Sequence, residues 1–126
     1  MEKKISTALV IDDSNVLRKI HSLFLKNLGY NVKELKNGLV GLNEMKSNHF
    51  DIVLCDIDMP IMTGLECISE LRKWEQHNNI LRQKIICVSG EEIEEEKVLA
   101  TGMDYFIKKP LTKQKLKNLL NKFEEV

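Results

Sequence analysis

The feature that most limits how this chain can fold is an alternation, repeated five times, between a short apolar run and a longer segment with helical spacing. The runs are Thr7–Ile11, Tyr30–Leu35, Asp51–Cys55, Lys84–Ser89 and Tyr105–Lys108. Each is too short for a helix, and most are continuous rather than alternating, which suits parallel strands covered on both faces. Tyr30–Leu35 alternates weakly and reads as a less buried strand, whereas Asp51–Cys55 is the most apolar and reads as central. Between them, apolar residues step by three and four. Leu17, Ile20, Phe24 and Leu28 mark a first helix capped by Ser14 and ended by Gly29. Leu39, Leu42 and Met45 mark a second after the turn Asn37-Gly38, weakened by Gly41, which costs about 1 kcal/mol relative to alanine. Leu65, Ile68 and Leu71 line a third, reaching about Trp74 after a loop containing Met59-Pro60 and Thr63-Gly64. Glu75–Arg82 reads as a helix end and polar connection. Glu91–Ala100 is a short acidic helix stopped by Gly102. Thr112 caps the last, with Leu116, Leu119, Leu120 and Phe123 facing inward.

Five βα units with right-handed crossovers predict one α/β domain over residues 1–126, a parallel five-stranded sheet between two layers of helices. Spacing alone does not give the strand order. A flavodoxin-like order, 2-1-3-4-5, would set the first and third strands side by side at a switch point, where open α/β sheets bind ligands.

The strand ends make that order chemically attractive. Asp12 and Asp13 close the first run, Asp56 closes the third with Asp58 just beyond, Ser89 closes the fourth, and Lys109 follows the fifth, directly before Pro110. Two carboxylates about 4 Å apart repel by roughly 4 kcal/mol at an effective dielectric near 20, so gathered acids imply a cation. With hard oxygen ligands and no His or Cys beside them, Mg²⁺ or Mn²⁺ is favoured over zinc. An open site of this kind suits phosphoryl transfer, with Asp56 as nucleophile, Lys109 neutralising charge and Ser89 donating a hydrogen bond.

In this order, Asp12-Asp13, Asp56 within DIDMPIMTG, Ser89-Gly90 and Lys109-Pro110 resemble the response-regulator receiver domain of two-component signalling, over about residues 5–123. The resemblance implies that Asp56 accepts a phosphoryl group from a phosphohistidine on a sensor histidine kinase or a histidine phosphotransfer protein. It implies Mg²⁺ bound by the Asp13 and Asp56 side chains and the Asp58 main-chain carbonyl, with Asp12 acting through a water. Lys109 would pair with the phosphate, ahead of a typically cis bond to Pro110. Ser89 and Phe106 match the switch hydroxyl and switch aromatic, which would remodel the surface of the fourth helix, fifth strand and fifth helix for an output partner. Activity would be limited to self-phosphorylation and slow autodephosphorylation. Both a stand-alone regulator and the receiver of a hybrid kinase fit, as do a monomer and a phosphorylation-dependent dimer. Asp58 stands where neutral residues are frequent in the family, which implies an altered phosphoryl lifetime, and Gly90 stands where alanine is usual.

The principal rival is a haloacid-dehalogenase-like phosphatase, because Asp56-Ile57-Asp58 is also a DxD motif. That family puts DxD on its first strand and its acidic pair last, the reverse of this chain. Lys+Arg and Asp+Glu balance at 19 each, giving no field that would draw nucleic acid or anionic membrane. No apolar stretch approaches the ~20 residues of a membrane span. Cys55, Cys67 and Cys87 lack metal-ligand spacing and read as reduced thiols, consistent with the cytoplasm. His21, His49 and His77 show no catalytic arrangement, Trp74 reads as a half-buried edge residue, and Glu91–Glu96 as a solvated helix start.

Overall fold

The computed structural model describes residues 6–57, 62–90 and 95–124. The strands are β1 (Ser6–Ile11), β2 (Tyr30–Leu35), β3 (Ile52–Asp56), β4 (Ile85–Ser89) and β5 (Tyr105–Lys108); the helices are α1 (Asn15–Asn27), α2 (Gly38–Ser47), α3 (Gly64–His77), α4 (Glu95–Ala100) and α5 (Lys113–Glu124). The sheet is five-stranded in the order β2-β1-β3-β4-β5, and every pairing is parallel. The flavodoxin-like order is therefore the one adopted, with β3 central and every residue of β3 and β4 buried.

Alternation along the strands feeds two cores. Leu9, Ile11, Val53, Cys55, Ile85 and Cys87 pack with α2 and α3 through Leu42, Met45, Ile68 and Leu71. Ala8, Val10, Ile52, Leu54, Ile86 and Val88 pack on the other face with Leu25 of α1 and with Leu116 and Leu120 of α5. A sheet whose strands contribute to both cores cannot show a polar face, which is why its sequence runs are continuous. Ser14, Asn37 and Thr63 cap α1, α2 and α3, each accepting a hydrogen bond from a backbone N–H of the first turn. Gly29 follows α1 at φ 97.

Several helix details differ from the expectation. On α1 the buried residues are His21, Ser22 and Leu25, whereas Ile20 is exposed and Leu17, Phe24 and Leu28 are only half-buried. The helix is turned by about one residue, because apolar side chains cover so wide an arc of it that the pattern admits several phases. Leu39 likewise points outward on α2, while Gly41 is buried. A Cβ at Gly41 would lie 2.5 Å from Ile11 Cδ1, so the glycine lets α2 approach the tip of β1. Gly64 opens α3 rather than ending a loop, and α3 runs three residues past Trp74, to His77. Trp74 is half-buried against the core, as expected, and His49 and His77 are exposed. Met59-Pro60, the first four residues of Glu91–Glu96 and the Phe123 side chain lie outside the described residues. Among the described residues no helix is long and apolar enough to cross a membrane.

A buried polar network closes the end of the sheet opposite the acidic tips. Arg72 donates to Glu75 at 2.7 Å, to Asp104 at 2.9 Å and to the Gly102 carbonyl at 2.8 Å. Glu75 accepts from the Gln83 backbone N–H at 2.8 Å, and the Gln83 amide bridges the Phe50 N–H and the Met45 carbonyl. The stretch Glu75–Arg82 is thus pinned by contacts that join α3 to the starts of β4 and β5.

Candidate functional site

The β1–β3 adjacency brings the acidic tips together. Ile11 is in register with Cys55, so Asp12 and Asp56, the next residue on each strand, leave the sheet side by side. Asp12, Asp13 and Asp56 each offer a carboxylate oxygen, and these oxygens all lie within 4.8 Å of one another. Asp12 and Asp56 are buried, at 2% and 3% exposure, while Asp13 is open to solvent. At that spacing each pair of charges repels by roughly 3.5 kcal/mol at an effective dielectric near 20, a cost that a shared cation reverses. A hard, three-carboxylate donor set open on one side fits a small divalent ion that keeps some of its waters.

Lys109 reaches the same point from β5. Its Nζ donates to Asp56 Oδ1 at 3.3 Å, and its backbone N–H donates to the Ser89 carbonyl at 2.8 Å. The Lys109–Pro110 bond is cis. Ser89 is fully buried at the end of β4, one residue beyond the partner of Asp56, and it pairs with Lys108. Phe106 is in register with Cys87 and packs half-buried on the α2–α3 side of the sheet. Strand parity sets Ser89 on that same side, two residues along from Cys87. All six sequence-derived residues among those described therefore lie at or just behind one sheet edge. Asp58 lies outside the described residues.

The β1–α1 turn is firmly tied. The Asp12 N–H donates to the Leu35 carbonyl at 3.1 Å, Asp12 Oδ1 accepts from the Ser14 N–H at 2.9 Å, and the Asp12 carbonyl accepts from Arg18 Nη1 at 2.9 Å. On the β3 side, Gly64 packs directly on the Asp56 backbone, and its N–H donates to the Ile57 carbonyl at 2.9 Å.

Three neighbours of the site were not apparent from the sequence. Arg18 sits one turn inside α1, and its only sequence signal is its four-residue spacing from the cap Ser14. Gly64 shows its purpose only once β3 lies beneath it. His21 is buried in the α1 layer near Asp12 and Lys109. Burial holds its imidazole below the usual range, an effect partly offset by the Asp12 charge and reinforced by Lys109. Cys55, just under Asp56, is a free buried thiol held well above its ordinary range, first by its hydrogen bond to Cys67 and then by burial. That makes it a poor nucleophile.

Comparison with known proteins points the same way. A family profile described as "Response regulator receiver domain" matches residues 8–121. The chain is 34% identical over 117 residues to two-component response regulator 24 of Arabidopsis thaliana, covering 92% of this chain and 82% of that protein. It is also 34% identical over 121 residues to hybrid signal transduction histidine kinase F of Dictyostelium discoideum, covering 94% of this chain but only 11% of that kinase. Among solved structures, the receiver domain of the histidine kinase CKI1 from Arabidopsis thaliana, complexed with Mg²⁺, superposes with a TM-score of 0.83 at 29% identity, covering 94% of this chain and 91% of that one.

Proposed function

The chain belongs to the response regulator receiver domain family of two-component signalling, and from that premise we propose that Asp56 is its phosphoacceptor. The observation that carries the proposal is the meeting of three carboxylates within 4.8 Å with the Lys109 ammonium on the buried Asp56. The Asp56 carboxylate attacks the phosphorus in line as the P–N bond of a donor phosphohistidine breaks, and the electron pair leaves with the imidazole. Lys109 would pass from Asp56 Oδ1, which it now meets at 3.3 Å, to an oxygen of the transferred group, and the Ser89 hydroxyl would donate to another. Asp13 and Asp56 would hold Mg²⁺ or Mn²⁺ directly, the Asp58 main-chain carbonyl would join them, and Asp12 would act through water. When bound, the ion neutralises charge on the phosphoryl oxygens. A phosphatase of the DxD type is disfavoured by the family match and by the acidic pair preceding Asp56 in the chain.

Receiver domains pair with histidine kinases or phosphotransfer proteins. On this chain the docking face we favour is α1, where Val16, Ile20 and Leu23 expose 68%, 39% and 57% of their surface on one side of the helix that begins next to Asp13. Exposed apolar residues in such a stripe mark contact surfaces rather than solvated ones. Inward motion of Ser89 toward a phosphoryl group would draw Phe106 with it along the shared side of the sheet, altering the α4–β5–α5 surface, on which Leu99 and Tyr105 are exposed. Residence in the cytoplasm belongs to the same proposal, supported by three free thiols.

Incubation with acetyl phosphate and Mg²⁺ followed by intact-mass measurement tests the reading. One added phosphoryl group is expected, dependent on the metal and missing from Asp56→Asn; a loaded Asp56→Asn protein would refute it.

A further inference from the structure

We propose that Arg18 is a positioning residue for the cation site: its guanidinium pins the Asp12 carbonyl and so aims the Asp12 and Asp13 carboxylates at one point. The inference rests on the metal-binding reading above and extends it to a residue outside the acid cluster. Only Asp12 and Asp13 separate the end of β1 from the cap of α1, so the direction of both side chains is set by how that short turn is held. Two of its ties are backbone N–H groups, on Leu35 O and Asp12 Oδ1; the third is the Arg18 side chain on the Asp12 carbonyl.

Arg18 is itself anchored. Its second terminal nitrogen donates to Asn15 Oδ1, and its Nε lies 3.7 Å from Glu34 Oε1 at the end of β2. That Glu34 oxygen is buried and has no hydrogen-bond partner, and the Arg18 charge faces it, while Lys19 Nζ lies 3.5 Å from the other oxygen of the same carboxylate. The Arg18 side chain is only 14% exposed. One planar fork therefore spans the turn, the first turn of α1 and the neighbouring strand. A lysine, with a single ammonium, cannot hold two acceptors and face the Glu34 carboxylate in these directions.

Geometry and charge make opposite demands here. A fixed positive charge beside three carboxylates, acting through its field alone, competes with a metal ion, so removing it would tighten cation binding. If Arg18 acts by holding the turn, removing it must weaken binding, because the mutual repulsion of the carboxylates then splays the donors. Loss of groups that orient metal ligands typically weakens affinity about 10–100-fold.

The test uses Mn²⁺ alone as probe, with free ion read by electron paramagnetic resonance, on wild type, Arg18→Ala and Arg18→Lys. Thermal melts, and amide hydrogen exchange at Asp12, Asp13 and Ser14 in metal-free protein, accompany it. The expected result is Mn²⁺ affinity about tenfold weaker in both variants, with faster amide exchange confined to the turn. Arg18→Lys keeps the charge and carries the test if Arg18→Ala fails to fold. Affinity unchanged or tighter in Arg18→Ala, or full recovery in Arg18→Lys, would overturn the inference while leaving the cation site intact. A wild-type protein that takes up no Mn²⁺ would overturn the cation site and this inference together.

Discussion

Replacing Gly64 with alanine should damage stability and phosphoryl loading together, through one contact. A Cβ built on Gly64 falls 2.2 Å from the Asp56 carbonyl oxygen and 3.0 Å from both Asp56 C and Ile57 Cα. Carbon-to-oxygen contacts of this type settle near 3.3 Å, so the start of α3 and the end of β3 must part by about 1 Å. The neighbours are backbone, and the Gly64 N–H is tied to the Ile57 carbonyl at 2.9 Å, so no side-chain rotation relieves the clash. Overpacking of this sort costs about 1–3 kcal/mol, against at most about 1 kcal/mol regained from the better helix propensity of alanine. The net expectation is a loss of about 1–2 kcal/mol, read as a lower urea midpoint at unchanged slope. The chemical effect is larger in proportion. Displacing Asp56 by about 1 Å disturbs its 3.3 Å contact with Lys109 and the convergence of the acids. A misplacement of that size slows a positioned reaction on the order of 100-fold. Acetyl phosphate loading, followed by intact mass over time, measures it. Gly90→Ala is the control, because a Cβ there meets, among the described residues, only Lys109 side-chain carbons at 3.6 and 3.8 Å, and it should load normally. If Gly64→Ala unfolds at the wild-type midpoint and loads at the wild-type rate, the proposed dependence of the site on this close approach is wrong.

Three further outcomes follow from separate parts of the molecule. Arg72→Ala strips the cation from Glu75 (3% exposed) and leaves Asp104 to Arg82 alone, at 2.9 Å, and should destabilise by about 3–5 kcal/mol in urea; a loss below about 1 kcal/mol would show that water compensates Glu75. His21, whose folded pKa is lowered by burial, stays neutral in the fold while the unfolded chain takes up a proton below its ordinary value of 6.5. Stability is therefore full above that pH and is lost as pH falls from 6.5 toward the depressed folded value, and His21→Leu should flatten this part of a pH series of urea midpoints. Asp58→Asn removes a carboxylate two residues from the acceptor, so the phosphorylated variant should decay at a different rate from wild type; identical decay would assign Asp58 no part in water attack on the acyl phosphate.

The tips of the strands were legible from the chain because a parallel strand buried on both faces has to be a continuous apolar run, and a charge can appear only where it ends. Asp12, Asp56 and Lys109 stand out for that reason. The facing of α1 was not legible. Val16, Leu17, Ile20, Leu23, Phe24 and Leu25 together cover most of the helix circumference, and burying His21 and Ser22 in place of Ile20 depends on packing that the pattern does not encode. The Arg72, Glu75, Gln83 and Asp104 network was equally hidden, since its members are up to 32 positions apart and each alone reads as a surface polar residue.

The sequence by itself determined the number and kind of elements, the continuous strands and the chemical character of the residues ending them, because local periodicity and burial demand are written residue by residue. The strand order, which sets Asp12 beside Asp56, was decided only in three dimensions. So were the approach of Gly64 to the Asp56 backbone and the reach of Arg18 to the acidic turn. Each is a contact between segments whose separation along the chain carries no record of their distance in space.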